Sequence, residues 1–197
     1  MFQSQLFVLA AMTMPVADGD GMLFQFDKPM AIDEWETVND RVMGGASDGR
    51  VEITSDGLLR FIGTLSLENN GGFASVRSHP NERNLSAYEG ILIRIKGDGH
   101  KYAINLRTDF EVRAGSYRHR FETRAGVWQE VFLPFTEFQL TSFGQGVEKA
   151  PPLNTRRIRS VGFLISDKQT GPFELQVDWI RAATAPGLLD QRGPISG

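Results

Sequence analysis

Gly90-Ile-Leu-Ile-Arg-Ile-Lys96, then Gly97-Asp98-Gly99, then Lys101-Tyr-Ala-Ile-Asn-Leu-Arg107 is the stretch from which the fold is read. A repeat of two places Ile91, Ile93 and Ile95 on one face and Leu92, Arg94 and Lys96 on the other. In the second segment Tyr102, Ile104 and Leu106 oppose Lys101, Asn105 and Arg107. A strand with one face in a core and the other toward water requires this alternation, whereas a helix repeats every 3.6 residues. The Gly-Asp-Gly turn between the segments predicts a hairpin over residues 90 to 107.

The same pattern extends outward. Val51 to Ser55, Asp56-Gly57 and Leu58 to Thr64 predict a second hairpin, and further strands are expected at Phe73 to Arg77, Ser116 to Thr123, Trp128 to Leu133, Val161 to Ser166 and Phe173 to Ile180. Helical periodicity is confined to single turns in Ala31 to Glu34 and Asn81 to Tyr88. About nine or ten short strands separated by turn signals favour an all-β, antiparallel two-sheet sandwich over any βαβ arrangement. The expected core comprises Ile91, Ile93, Ile95, Ile104, Leu106, Phe163, Ile165, Leu175 and Val177.

With 197 residues, 41% of them hydrophobic, the chain suits one good core. Lys and Arg total 21 against 24 Asp and Glu, and the net charge of −3 gives no global attraction to nucleic acid or an anionic membrane. Neither is an expected partner. The absence of cysteine removes disulfides, thiolate metal sites and a cysteine nucleophile together. Residues 1–21 are read as a signal peptide or N-terminal extension, 22–182 as the folded domain and 183–197 as a tail. The apolar run Leu6 to Ala17 has signal-peptide length, but no Lys or Arg precedes it and Pro15 crowds the cleavage point. Cytoplasmic and exported, periplasmic locations are therefore weighed equally. No segment is long and apolar enough to read as a transmembrane span.

Two polar loops stand out, Trp35-Glu-Thr-Val-Asn-Asp-Arg-Val-Met-Gly-Gly-Ala-Ser47 and Asn69-Asn-Gly-Gly-Phe-Ala-Ser-Val-Arg-Ser78. The first supplies Asn39, Asp40, Gly44, Gly45 and Ser47 as candidate binding residues, the second Asn70, Gly71 and Gly72. Their side chains are suited either to a recognition rim or to bonding their own turn backbone, and the architectural role ranks first. The loops are expected to lie together, fixed by a shared polar network with Arg77 as a candidate member. Arg77 ends an otherwise apolar strand, so its five-donor fork meets a carboxylate or faces a partner.

From Arg94 to Arg124 there are eight basic residues (Arg94, Lys96, Lys101, Arg107, Arg113, Arg118, Arg120, Arg124) against four acidic ones (Asp98, Asp109, Glu111, Glu122). If the strands bearing Arg94 and Arg107 pair, a basic surface follows. Arg107, Arg118 and Arg120 join Arg77 as candidate binding residues, because a guanidinium joins a flat or charged partner through several hydrogen bonds at once. Tyr117, His119 and Phe121 share the opposite phase and are expected in the core.

Catalytic motifs are missing. His79, His100 and His119 fit no H-E-x-x-H pattern, there is no G-x-S-x-G elbow, and Met43-Gly44-Gly45 lacks the rest of a phosphate loop. No catalytic residue, no cofactor and no enzymatic activity are expected. A structural calcium ion is considered, with Asp27, Asp178 and loop carbonyls as candidate ligands, though no EF-hand-like spacing gathers them.

Together the two polar loops, reading W-x-x-V-N-D-x-V-M-G-G-x-S and N-x-G-G-F-x-S-x-R, resemble the complex I intermediate-associated protein family. The resemblance implies a galactose-binding-domain-like jelly roll over roughly residues 22 to 182, a fold shared with carbohydrate-binding modules. The Trp-bearing segment Gly126 to Phe138 is similar to such modules. It also implies a non-catalytic, chaperone-like assembly factor whose protein partner is an intermediate of the membrane arm of NADH:ubiquinone oxidoreductase. With no presequence rich in Arg and Ser, the chain looks like a free-standing bacterial-type member. Carbohydrate is the alternative partner, and an exposed aromatic platform for sugar stacking discriminates between the two.

Overall fold

The computed structural model describes residues 21–27, 29–40, 44–108 and 115–185. The expected N-terminal extension, apart from Gly21, and the tail beyond Ala185 lie outside these residues. The strands are β1 (Met22–Gln25), β2 (Trp35–Asn39), β3 (Asp48–Ile53), β4 (Leu59–Leu65), β5 (Ala74–Ser78), β6 (Gly90–Lys96) and β7 (Lys101–Arg107). There follow β8 (Gly115–Glu122), β9 (Trp128–Pro134), β10 (Gln139–Ser142), β11 (Gln145–Gly146), β12 (Ser160–Ile165) and β13 (Gly171–Ala183). Among the described residues, helical structure is limited to short 3-10 segments such as Pro29–Glu34 and Phe135–Glu137.

Two antiparallel sheets form the sandwich. The first has the order β3-β4-β13-β6-β9, with β1 also pairing β13; the second runs β11-β10-β8-β7-β12-β5-β2. Alternating side chains from both sheets meet between them, and all nine expected core residues are 0% exposed. Aromatic rings pack within and between the layers: in the second sheet Phe163 lies 6.4 Å from Trp35 in a stacked arrangement and 6.4 Å from Phe121 edge-on, while Phe24 of β1 in the first sheet meets Trp35 edge-on at 5.1 Å. The hairpin expected over residues 51 to 64 forms, as β3 on β4.

The hairpin expected over residues 90 to 107 does not form. β6 pairs with β13 and β9 in the first sheet, whereas β7 pairs with β12 and β8 in the second. Gly97 to His100 is thus a corner between layers, not a turn within one. Asp98 holds it, accepting hydrogen bonds from the Tyr102 hydroxyl (3.0 Å), His100 N–H (3.0 Å) and Glu174 N–H (2.6 Å). Gly97 is required there, since a Cβ would lie 2.4 Å from Thr123. Alternation survives because a strand that crosses to the other layer still buries one face. Within Asn81 to Tyr88 one turn forms, closed by Tyr88 N–H on Leu85 O (3.1 Å), and the residues before it are held by a bridge from Arg83 to Ile158 and a Leu85 N–H bond to Thr155 O.

Because Phe163 is fully buried between two aromatic neighbours, Phe163→Ala should cost about 3–5 kcal/mol, read as a lowered urea midpoint with an unchanged slope.

Candidate functional site

The two polar loops do lie together, and a single carboxylate joins them. Asp40 follows the last residue of β2 and is 0% exposed. Its Oδ1 accepts from Ser47 N–H (2.9 Å), and its Oδ2 accepts from Gly72 N–H (2.7 Å) and Phe73 N–H (3.2 Å). Its own backbone N–H donates to Phe73 O, and its carbonyl accepts from Gly45 N–H. Burial opposes ionisation, yet the bonds from Ser47 and from the Gly72 and Phe73 amides outweigh it and hold the Asp40 carboxyl below its usual 3.8.

This carboxylate explains the glycines. A Cβ on Gly45 would lie 2.3 Å from Asp40 Cγ, and one on Gly71 would lie 2.6 Å from Asp40 Oδ2. Gly72 adopts φ +121°, which aims its N–H at the carboxylate, and Gly44 turns the chain at φ +89°. Ser47 Oγ donates to Ser66 O and accepts from Ser66 N–H, both at 3.1 Å, tying the cluster to the end of β4. Asn39 donates through Nδ2 to Gly49 O (2.9 Å). Asn70 belongs to the 3-10 turn Glu68–Asn70, and its side chain lies outside the described residues. Arg77 is not in this network: its Nε donates to Glu36 on β2.

The four candidate arginines share one outer surface, that of the second sheet. Register places Glu36, Arg77, Gly162, Asn105, Arg118 and Gln139 in one row across β2, β5, β12, β7, β8 and β10. Arg107 stands opposite Ser160 at one side of this row, and Arg120 opposite Ala103 at the other. Arg118 donates through Nε to Asn105 Oδ1 (3.0 Å). Burial, then the neighbouring Arg120, lower the Arg118 pKa; burial, then Arg77, lower that of Arg107. Among the described residues, no carboxylate lies within ion-pair distance of Arg107, Arg118 or Arg120.

The outer surface of the first sheet differs. There Arg60 pairs with Glu174 (2.8 Å), Arg50 with Glu52 (2.9 Å) and Arg94 with Asp178 (2.9 Å). Arg94 therefore belongs to the opposite layer from Arg107, and the basic surface expected from their pairing does not form across them. Asp178 is taken by Arg94, and no group of three or more Asp, Glu or His gathers for a metal among the described residues. His119 departs from its expected core place. Its Nε2 lies 2.9 Å from Glu137, while Tyr117 and Phe121 on either side are buried.

A recess of about 40 Å³ opens in the arginine surface, lined by Val38, Ser75, Val76, Arg77, Asn105, Arg107, Ser160 and Gly162. A larger depression of about 330 Å³, between Phe26, Asp27, Ile32 and the β3–β4 turn, borders none of the candidate residues. Glu36, Asn105, Ser160 and Gly162 were not candidates from sequence. Gly162, a glycine inside the apolar run Val161 to Ile165, carried a readable signal of close backbone approach.

The family profile described as Complex I intermediate-associated protein 30 (CIA30) matches residues 24–177. The mouse protein "Complex I intermediate-associated protein 30, mitochondrial" is 31% identical over 86% of this chain and 58% of its own length. The Drosophila melanogaster protein of the same name is 26% identical over 81% of this chain and 61% of its own. The chain thus spans about three fifths of the length of these two relatives. Their names overturn the even weighing of cytoplasm against periplasm and point to mitochondria. Among solved structures, a family 11 carbohydrate-binding module from Clostridium thermocellum, complexed with a β-1,3-1,4-mixed-linked tetrasaccharide, superposes with a TM-score of 0.64 at 19% identity. The match covers 87% of this chain and 98% of that one. A family 30 module of a Clostridium thermocellum cellulase gives 0.56 at 15% identity, over 85% of this chain and 98% of that one. These likenesses fix the jelly-roll fold. No helix among the described residues is long and apolar enough to cross a membrane.

Asp40→Ala leaves one buried N–H, of Ser47, and two part-buried ones, of Gly72 and Phe73, without their acceptor; at about 1–3 kcal/mol for the buried group and less for the others, stability should fall by about 2–4 kcal/mol. Gly45→Ala should also destabilise, and the double variant should lose less than the sum, because shortening residue 40 makes room for the new methyl. The folded state binds the Asp40 proton less tightly than the unfolded chain does. Its contribution is complete above pH 3.8 and is lost as pH falls through the lowered value, so acid denaturation should shrink the gap between wild type and Asp40→Asn.

Proposed function

We propose, on the premise that the chain belongs to the complex I intermediate-associated protein 30 family, that it is a non-catalytic assembly factor. It docks on a protein partner in an intermediate of the membrane complex. The docking surface is the outer face of the second sheet, with Arg77, Arg107, Arg118 and Arg120 as its cationic groups. One observation carries this reading: Arg107, Arg118 and Arg120 gather on one face of the second sheet with no described carboxylate partner, whereas on the first sheet Arg50, Arg60 and Arg94 meet carboxylates and Lys96 and Arg181 lie over tryptophan rings. Guanidinium groups without a carboxylate partner on a rigid sheet, Arg107 and Arg118 partly buried and Arg120 exposed, are suited to orienting a complementary protein surface. The two glycine loops serve this surface indirectly, by fixing the ends of β2 and β5 through Asp40.

Carbohydrate capture is the second reading, supported by the fold neighbours. Sugar stacking calls for an exposed aromatic ring. Among the described residues the exposed rings are Phe143, in the β10–β11 turn at the edge of the second sheet, and Trp128 on the first sheet, where Arg94 and Lys96 lie over its ring; neither stands in the arginine row.

Used as bait on detergent-solubilised mitochondrial membranes, the chain should retain subunits of NADH:ubiquinone oxidoreductase. Arg118→Glu with Arg120→Glu should lose them while Tm stays nearly constant, and Arg50→Glu on the opposite sheet should not. Binding to a glycan panel that survives the Arg118 and Arg120 changes, with no subunit retained, would favour the carbohydrate reading. Saturable turnover of a glycoside or ester by the purified chain would sink the non-catalytic one.

A further inference from the structure

We propose that the recess over Gly162 receives a single carboxylate of the partner protein, an Asp or Glu side chain held between Arg107 and Arg77. The inference rests on the docking reading and names the chemistry of the group that docks.

The shape of the recess comes from a missing side chain. Gly162 lies on the interior strand β12, flanked in register by Arg77 and Asn105. A Cβ there would lie 2.4 Å from Val76 O and 2.9 Å from Arg77 Cβ, so no larger residue can fill the space from within. A water needs roughly 10–15 Å³ of such space. The recess, at about 40 Å³, takes a group of a few heavy atoms such as a carboxylate, not a sugar ring.

Its polarity selects an anion. The Ser160 hydroxyl donates to Ser78 O, and the Ser75 hydroxyl donates to Val38 O, so both hydroxyl protons are committed. The donors left are guanidinium groups and the Asn105 amide, whose oxygen already accepts from Arg118. Glu36 is the one carboxylate of the row, and Arg77 engages it. Arg107 bears its charge half-buried beside Arg77, and Glu36, already bonded to Arg77, offsets this only from a distance, so an incoming carboxylate gains a two-point, charge-assisted contact with Arg107.

The test is fluorescence anisotropy of a labelled twelve-residue peptide of alternating Glu and Ser, with its Gln counterpart as control, against the full chain. The Glu peptide should bind and the Gln peptide should not, with affinity falling as salt rises. Arg107→Gln should weaken binding roughly tenfold or more, whereas Arg50→Gln should leave it unchanged. Asn105→Asp offers an independent check that keeps every arginine: a carboxylate supplied from inside should displace the peptide's and raise Tm. Equal binding of the two peptides, or wild-type affinity in both Arg107→Gln and Asn105→Asp, would overturn the proposal. Inorganic phosphate that displaces the peptide where the same concentration of acetate does not would assign the recess to phosphate groups instead. If the Glu peptide fails to bind while Arg118→Glu with Arg120→Glu still abolishes subunit capture, the recess inference falls and the docking reading stands.

Discussion

One buried carboxylate organises the most distinctive part of this chain. Asp40 has no exposed surface and satisfies its charge with backbone N–H groups from two separate loops, those of Ser47 and of Gly72 and Phe73. Charge burial of this kind is tolerable only when the lone pairs are filled, and the filling here is done by amides whose positions depend on four glycines. Side chains on Gly45 or Gly71 would occupy the space of the carboxyl group itself. The two sequence signatures of the family are therefore one structural object, and each half has no function in the fold without the other.

The arginine surface is the complement of that tight closure. On the first sheet each of Arg50, Arg60 and Arg94 finds an acidic neighbour, and such exposed pairs add little stability but offset those three charges, while Lys96 and Arg181 lie over tryptophan rings. On the second sheet Arg77 is matched by Glu36, and Arg118 by the neutral Asn105. An overall negative chain thus presents one local positive face, and net charge alone gave no sign of it.

Strand identity and burial phase were legible because alternation is a local property: Ile91, Ile93, Ile95, Ile104 and Leu106 are buried whichever sheet holds them. Layer membership was not. A two-residue repeat followed by a Gly-Asp-Gly turn looks the same whether the chain folds back beside itself or crosses to the facing sheet, and only Asp98 bonding to distant Glu174 N–H distinguishes the cases. That ambiguity put Arg94 beside Arg107 in expectation and on opposite layers in fact. The candidate site suffered less. Asp40, Gly45 and Gly72 were chosen for turn chemistry and prove to share one network, whereas Glu36, Asn105 and Ser160 acquire their places from pairings that no short-range pattern encodes.

The strand order also says something about biosynthesis. β12 and β13 are the last two strands along the described chain, yet each is interior to its sheet: β12 separates β7 from β5, and β13 separates β6 from β4 and β1. Before they emerge from the ribosome, neither layer can close, and the nascent chain holds the pieces β3-β4, β6-β9, β5-β2 and β11-β10-β8-β7, each with open edges and uncovered apolar faces. Completion is then abrupt, since the arrival of these two segments unites both halves of both layers. A chain built this way passes from wholly vulnerable to wholly folded over its final stretch, and its handling before that moment falls to whatever shields open edges in the cell.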